Sequence, residues 1–236
     1  MQLFVVFHSR IYDQCYADVP QDILDKYFTF VAVNEKIPKE YTAGKYKVIN
    51  EWELPIYNPD LQANGYKENS VLYHIFVNKL HEPYKRIGFF QYDMVIGENV
   101  VSDILGDQAP MTYFAFDVHP FQFLYETWNY EMKTASFIAN DYTNYFGKPF
   151  SYSKHYPLYN TFVIPTEFYA QKMMPWISQL YDKLWPWCNQ PPNQSHFGHV
   201  AGVYERVSAM VVGEEGMKYK LMTGINHDDT YKKLSY

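Results

Sequence analysis

"RIGFFQYDMVI", residues 86–96, is the stretch on which the fold turns. Its apolar residues run almost unbroken, as in a strand buried on both faces of a parallel sheet, yet Gln91 and Asp93 interrupt the run. As one continuous strand, the stretch points Gln91 and Asp93 to the same face, because side chains alternate. Open α/β sheets bind ligands outside the carboxyl ends of their strands, near the point where strand order reverses. A carboxylate at that exit can hold a hard cation such as Mg²⁺ or Mn²⁺; it can equally cap the turn that follows.

Working outward, "LFVVF" (3–7) reads as a strand, "PQDILDKY" (20–27) as a short helix opened by Pro20, and "FTFVAVN" (28–34) as a second strand. Strand, helix and strand within about 35 residues point to parallel pairing through a crossover. Residues 35–66 look irregular, with one short strand at "YKVIN" (46–50). "ENSVLYHIFVNKL" (68–80) sets Val71, Ile75 and Asn78 on one helical face and Leu72, Phe76 and Lys79 on the next, and it feeds 86–96 as a second β-α-β unit. Further strands are expected at 112–118, at "YNTFVI" (159–164) and, on an edge, at "MKYKLMTG" (217–224). Helices are expected over 120–146 with one break, over 165–185 and over 199–212, with a loop at "CNQPPNQSHFGHV" (188–200). The fold class is α/β: a mixed, mostly parallel central sheet flanked by helices.

With 236 residues, 47% apolar and 19% charged, the chain can bury one sizeable core, so residues 1–227 read as a single domain. Residues 228–236 form a polar tail able to lead into further catalytic domains of a longer chain. A net charge of −6 argues against duplex nucleic acid as a partner. Two cysteines rule out a disulfide framework and fit a reducing compartment. No apolar run approaches the roughly 20 residues of a membrane span, so a cytoplasmic chain is expected. The 24 tyrosines suit a sugar-stacking surface or a core, and composition favours the core. No GxSxG, P-loop or GxGxxG occurs, which removes the commonest hydrolase, kinase and dinucleotide readings.

The helix at 199–212 carries one more carboxylate. Glu205 lies off the apolar stripe of Val200, Val203, Tyr204, Val207, Met210 and Val211, and Ala201 and Ala209, one turn away, leave space beside it. Arg206 points about 100° away and does not readily share a ligand with it.

In order along the chain, "HIFVNKL" (74–80), "IGFFQYD" (87–93), "NTFVIPTEFYAQKMMPWI" (160–177) and "GHVAGVYERVSAMVV" (198–212) resemble the nucleotide-sugar glycosyltransferases of GT-A fold. The likeness is strongest to glycosyltransferase domains of bacteria and large DNA viruses, the chloroviruses, and covers most of the chain. The resemblance implies a UDP-sugar donor, a glycan acceptor and Mn²⁺ or Mg²⁺. It implies that Asp93 holds the metal at the DxD-like position, with Gln91 in place of the first Asp, and that His227 is a second metal ligand. It places His8, Ser9, Arg10 and Tyr12 around the nucleotide; Asn34, at the end of the second strand and so facing the same crevice, and Lys67 and Glu68, at the start of the buried helix, are further candidates by position. It makes Glu205, in "GVYERV", the base for transfer with inversion. UDP-galactose or UDP-glucose is the default donor, and viral glycan synthesis in the host cytoplasm the default setting. The alternatives are a retaining transferase, a sugar-nucleotide hydrolase and a non-catalytic carbohydrate-binding domain of the same fold. Convergence of Asp93, Glu205 and His227 on one pocket distinguishes an enzyme from a binder. His155, His196 and Phe197 are lesser candidates for an acceptor site, and Asp117 with His119 reads as a structural pair.

Overall fold

Every residue of β1 (Gln2–Phe7) is buried, and the strand is hydrogen-bonded on both edges, parallel to β2 (Phe28–Ala32) on one side and to β4 (Arg86–Gln91) on the other. A computed structural model of the chain describes residues 1–33, 44–106, 111–113, 132–150, 155–190, 200–215, 218–222 and 225–227. With β3 (Val48–Asn50), β6 (Met111–Tyr113), β7 (Phe162–Pro165) and β8 (Tyr219–Leu221), these strands make a seven-stranded sheet of order β3-β2-β1-β4-β7-β6-β8. β7 is antiparallel to both its neighbours, β4 and β6, while the other pairs are parallel, so β7 alone runs against the rest. The expected mixed, mostly parallel sheet is present.

Alternation along β1 divides the core. Phe4 and Val6 join Val31, Ile87 and Phe89 in a cluster covered by the helices Asn69–Val77, Met132–Phe146, Met174–Cys188 and Val200–Glu214. Leu3, Val5 and Phe7 join Phe28, Phe30 and Phe90 on the opposite face, beneath helices Gln21–Tyr27 and Glu98–Leu105. Burial on both faces is why the strands read as continuous apolar runs. Much of the tyrosine serves this core. The rings of Tyr66, Tyr181 and Tyr204 lie 4.5–5.2 Å apart among the covering helices, and burial raises all three hydroxyl pKa values. Cys15 and Cys188 are buried and not joined by a disulfide. Among the described residues no helix is long and apolar enough to cross a membrane.

The opening stretch differs from the single strand expected of it. β4 ends at Gln91, the chain turns at Tyr92–Asp93, and Met94–Ile96 forms β5, which pairs antiparallel with β9 (Ile225–His227) in a separate two-stranded sheet. The reason is loss of partners: the register with β1 runs only to Val6↔Gln91 and that with β7 only to Phe89. Past that point the backbone has no ladder to continue. Met94 and Ile96 remain buried in the second cluster, so the apolar pattern carries on through the break.

Other boundaries also moved. The strand expected at 159–164 begins at Phe162, because Tyr159 and Asn160 adopt left-handed backbone (φ +53° and +46°). Residues 35–66 contain a short helix, Pro59–Ala63, which Asn58 caps by accepting the Asp60 N–H at 3.1 Å. The helix expected from 165 passes through a π segment, Tyr169–Met173, just before Pro175, whose missing N–H leaves one α-type bond unmade. Of the strand at 112–118 only Met111–Tyr113 is described, and of the helix at 120–146 only Met132–Phe146. Asn34, Asp117, His119, His196, Phe197, His199 and the tail 228–236 lie outside the described residues.

Gly88 sits mid-strand in β4, opposite Leu3 of β1 and Val163 of β7. A Cβ there would lie 2.6 Å from Leu3 Cδ2, 2.9 Å from Val163 Cγ2 and 3.1 Å from the Phe162 carbonyl oxygen. Gly88→Ala is therefore expected to destabilise the fold by about 1–3 kcal/mol through overpacking. Urea denaturation should show a lower midpoint with an unchanged m-value. A midpoint equal to wild type would mean that β1, β4 and β7 are less closely packed than described.

Candidate functional site

Strand order reverses beside β1. From β1 the chain moves outward to β2 and β3, then returns to the other edge of β1 as β4. The carboxyl ends of β1 and β4 flank this switch point, and a cavity of about 430 Å³ opens there. Its lining is Val6 and His8 from the end of β1, Gln91, Tyr92 and Asp93 from the end of β4, Lys67 and Glu68 before the Asn69–Val77 helix, and Ala201, Gly202 and Glu205 from the first turns of Val200–Glu214.

Six residues singled out from the sequence thus meet in one space: His8, Lys67, Glu68, Gln91, Asp93 and Glu205. Asp93 is 2% exposed. It reaches the cavity from the turn after β4, and the strand alternation expected to direct it there does not operate. Glu68 links two walls, accepting from Gln91 Nε2 at 3.3 Å while its other oxygen lies 3.3 Å from His8 Nε2. Burial pushes the Glu68 carboxyl up, but the hydrogen bond and charge of His8, helped by its own backbone N–H and Lys67, outweigh this and hold it below the ordinary value. Glu205 Oε1 accepts the backbone N–H of Tyr159 at 3.0 Å.

Other candidates stand aside. Tyr12 is buried and stacks on Tyr92 at 5.4 Å, and the Arg10 guanidinium lies over Tyr12 at 4.8 Å, so these two back the cavity wall without lining it. Ser9 is exposed beyond β1 and is not part of the lining. His155 pairs with the Tyr219 hydroxyl at 2.6 Å, away from the cavity. The backbone register sets His227 of β9 opposite Met94, the residue after Asp93.

Tyr92 is the lining residue that sequence reasoning missed. Read as part of a strand it belongs to the face opposite Gln91 and Asp93, but the turn brings its ring into the lining, with His8 edge-on at 5.7 Å. Gly202 was also missed, although its place three residues before Glu205 on a helix was a usable signal.

The Lys67–Glu68 wall is anchored from behind. Lys67 has left-handed backbone (φ +51°), and its carbonyl accepts from the Ser70 N–H at 3.1 Å and Gln62 Nε2 at 3.1 Å. Ser70, Gln62 and His74 all bond to the buried Glu51 carboxylate, with His74 Nδ1 at 2.8 Å. His74 Nε2 accepts the Asn58 N–H at 2.9 Å, which fixes the tautomer so that Nδ1 donates to Glu51. Each buried polar group of this network has a partner, as the low interior dielectric demands.

In chemical terms the cavity combines three carboxylates, an imidazole, one ammonium and an aromatic ring. Asp93 and Gln91 supply oxygen donors of the kind hard cations take. Among the described residues no group of three or more His, Cys, Asp or Glu could hold a metal by itself.

No family model matches the chain, and no curated protein matches it. Among solved structures, the galactosyltransferase LgtC in complex with donor and acceptor sugar analogues is similar, with a TM-score of 0.42 at 12% identity, covering 93% of this chain and 73% of that one. An active-site mutant of LgtC gives a TM-score of 0.43 at 11% identity, covering 93% and 72%.

The lowered Glu68 pKa has a testable consequence. The stability its ionisation contributes is fully present above the unfolded carboxylate pKa and is lost as pH falls through the lower folded value. Glu68→Gln should therefore be less stable than wild type at neutral pH, with the gap closing as the pH falls below the ordinary glutamate range in pH-dependent denaturation. A gap independent of pH would show that the His8–Glu68 pairing does not hold in solution.

Proposed function

We propose that the protein is a glycosyltransferase of GT-A type that moves a hexose from a UDP-sugar to a glycan hydroxyl with inversion. The observation that carries this reading is the convergence, at the switch point between β1 and β4, of His8, Gln91 and Asp93 with Glu205 from a facing helix. The cavity volume is within the range of small-molecule sites, roughly 300–1,000 Å³. Of the three groups whose meeting separates an enzyme from a carbohydrate-binding domain of the same fold, Asp93 and Glu205 line this cavity, which favours an enzyme, and His227 is placed only by the register of β9 beside the residue after Asp93.

In this reading Glu205 accepts the proton of the acceptor hydroxyl as its oxygen attacks the anomeric carbon, and the bond to the diphosphate oxygen breaks with its electron pair leaving on UDP. Lys67 contributes positive charge and His8 a polar ring toward the diphosphate, and Tyr92, backed by Tyr12, offers a ring face to the nucleotide or sugar. Gln91, oriented by Glu68, hydrogen-bonds a donor hydroxyl. Asp93, with His227 from β9, would hold Mn²⁺ or Mg²⁺, which when bound neutralises charge on the departing diphosphate. UDP-galactose and UDP-glucose are the first donors to examine.

The test is a transfer assay with these donors, Mn²⁺ and glycan acceptors. Glu205→Gln should lower the transfer rate by about 10²–10⁴-fold, the usual contribution of a general base, while leaving UDP affinity near wild type. Transfer by Glu205→Gln at the wild-type rate would remove Glu205 from the chemistry. Release of UDP and free sugar without glycan product would make the protein a sugar-nucleotide hydrolase.

A further inference from the structure

One buried amide joins two of the segments that line the cavity to the turn that meets Glu205. Asn69, directly after Lys67–Glu68, is fully buried. Its Nδ2 donates to the carbonyls of Ala201 at 3.0 Å and Tyr66 at 3.2 Å, and its own carbonyl accepts from the Tyr181 hydroxyl at 2.8 Å. Its side-chain oxygen, Oδ1, accepts from Asn160 Nδ2 at 2.9 Å. Asn160 is itself buried and follows Tyr159, and both hold left-handed backbone (φ +46° and +53°). For tyrosine that conformation is unfavourable and persists only where surrounding contacts impose it. It is this backbone that delivers the Tyr159 N–H to Glu205 Oε1.

We propose that Asn69 and Asn160 are a positioning pair for Glu205. Neither lines the cavity. Asn69 ties the start of the Glu205 helix, through the Ala201 carbonyl, to the Lys67–Glu68 wall. Through Asn160 it also holds the left-handed turn whose N–H orients the Glu205 carboxylate. One amide therefore sets both where the helix begins and which way its carboxylate faces. A carboxylate on a rotatable side chain gains much from a fixed donor, since misplacement of a reacting group by about 1 Å can cost about a hundredfold in rate. The proposal rests on the reading of Glu205 as the base.

Asn160→Gly is the discriminating variant, because glycine keeps the left-handed backbone without strain and removes only the amide. Two readouts are needed. Amide hydrogen exchange, which does not depend on the activity, should show the Tyr159 N–H exchanging at least about tenfold faster in Asn160→Gly than in wild type, with the β1 amides unchanged. In the transfer assay kcat should fall about tenfold with the donor KM nearly constant, and this loss should vanish when Asn160→Gly is combined with Glu205→Gln. A Tyr159 amide protected as in wild type would overturn the proposal, as would a loss of the same factor with and without Glu205→Gln. If Glu205→Gln alone transfers at the wild-type rate, it is the reading of Glu205 as base that fails, and the Tyr159 exchange rate still decides whether the pair holds the turn.

Discussion

The parallel register of β1 with β4 is the constraint on which the rest of the molecule depends. Val6 stands opposite Gln91, so His8 and Asp93, each two residues further on, emerge together at one edge of the sheet. A shift of one residue would move the alternating side chains of β1 to the wrong face, exchanging Phe4 and Val6 with Leu3, Val5 and Phe7 between two fully formed apolar clusters. Burial on both faces thus fixes the register, and the register fixes the polar edge. Gly88 permits the close approach, because Leu3 and Val163 occupy the space a side chain would need.

A second layer of order lies behind the cavity. Glu51 gathers Ser70, Gln62 and His74, and the bonds of the Ser70 N–H and Gln62 to the Lys67 carbonyl hold a non-glycine residue in left-handed backbone at the cavity wall. Lys67 shares that strained geometry with Tyr159 and Asn160, which belong to the turn that meets Glu205. Strain of this kind gathers at sites where the fold must place a group against its local preference. The tyrosine cluster of Tyr66, Tyr181 and Tyr204 supplies the rigid packing on which these turns rest.

The main architecture was legible because burial on both faces writes itself into composition: the strands at β1, β2 and β4 follow the apolar runs. What escaped was governed by partners distant in sequence. Residues 86–96 read as one strand because Met94 and Ile96 are as buried as Phe89 and Phe90, although the hydrogen-bonding neighbours of β4 end before Tyr92. Tyr92 was missed for the same reason, since alternation within a continuous strand turns it away from Asp93. Conversely, Asp93 and Gln91 were expected to share a face by alternation and share the cavity through a turn instead. Arg10 and Tyr12 carried suitable chemistry, but the Arg10 guanidinium lies over the Tyr12 ring, which itself stacks on Tyr92. Glu205 was legible because small residues a turn away signal open space on an otherwise apolar helix.

The most direct test of the account is calorimetric titration of UDP, with and without Mn²⁺, into the wild type and Asp93→Ala. The wild type should bind UDP in a metal-dependent manner, and Asp93→Ala should lose that binding while keeping its fold by circular dichroism. Absence of UDP binding by the wild type under either condition, or equal binding by a folded Asp93→Ala, would contradict it.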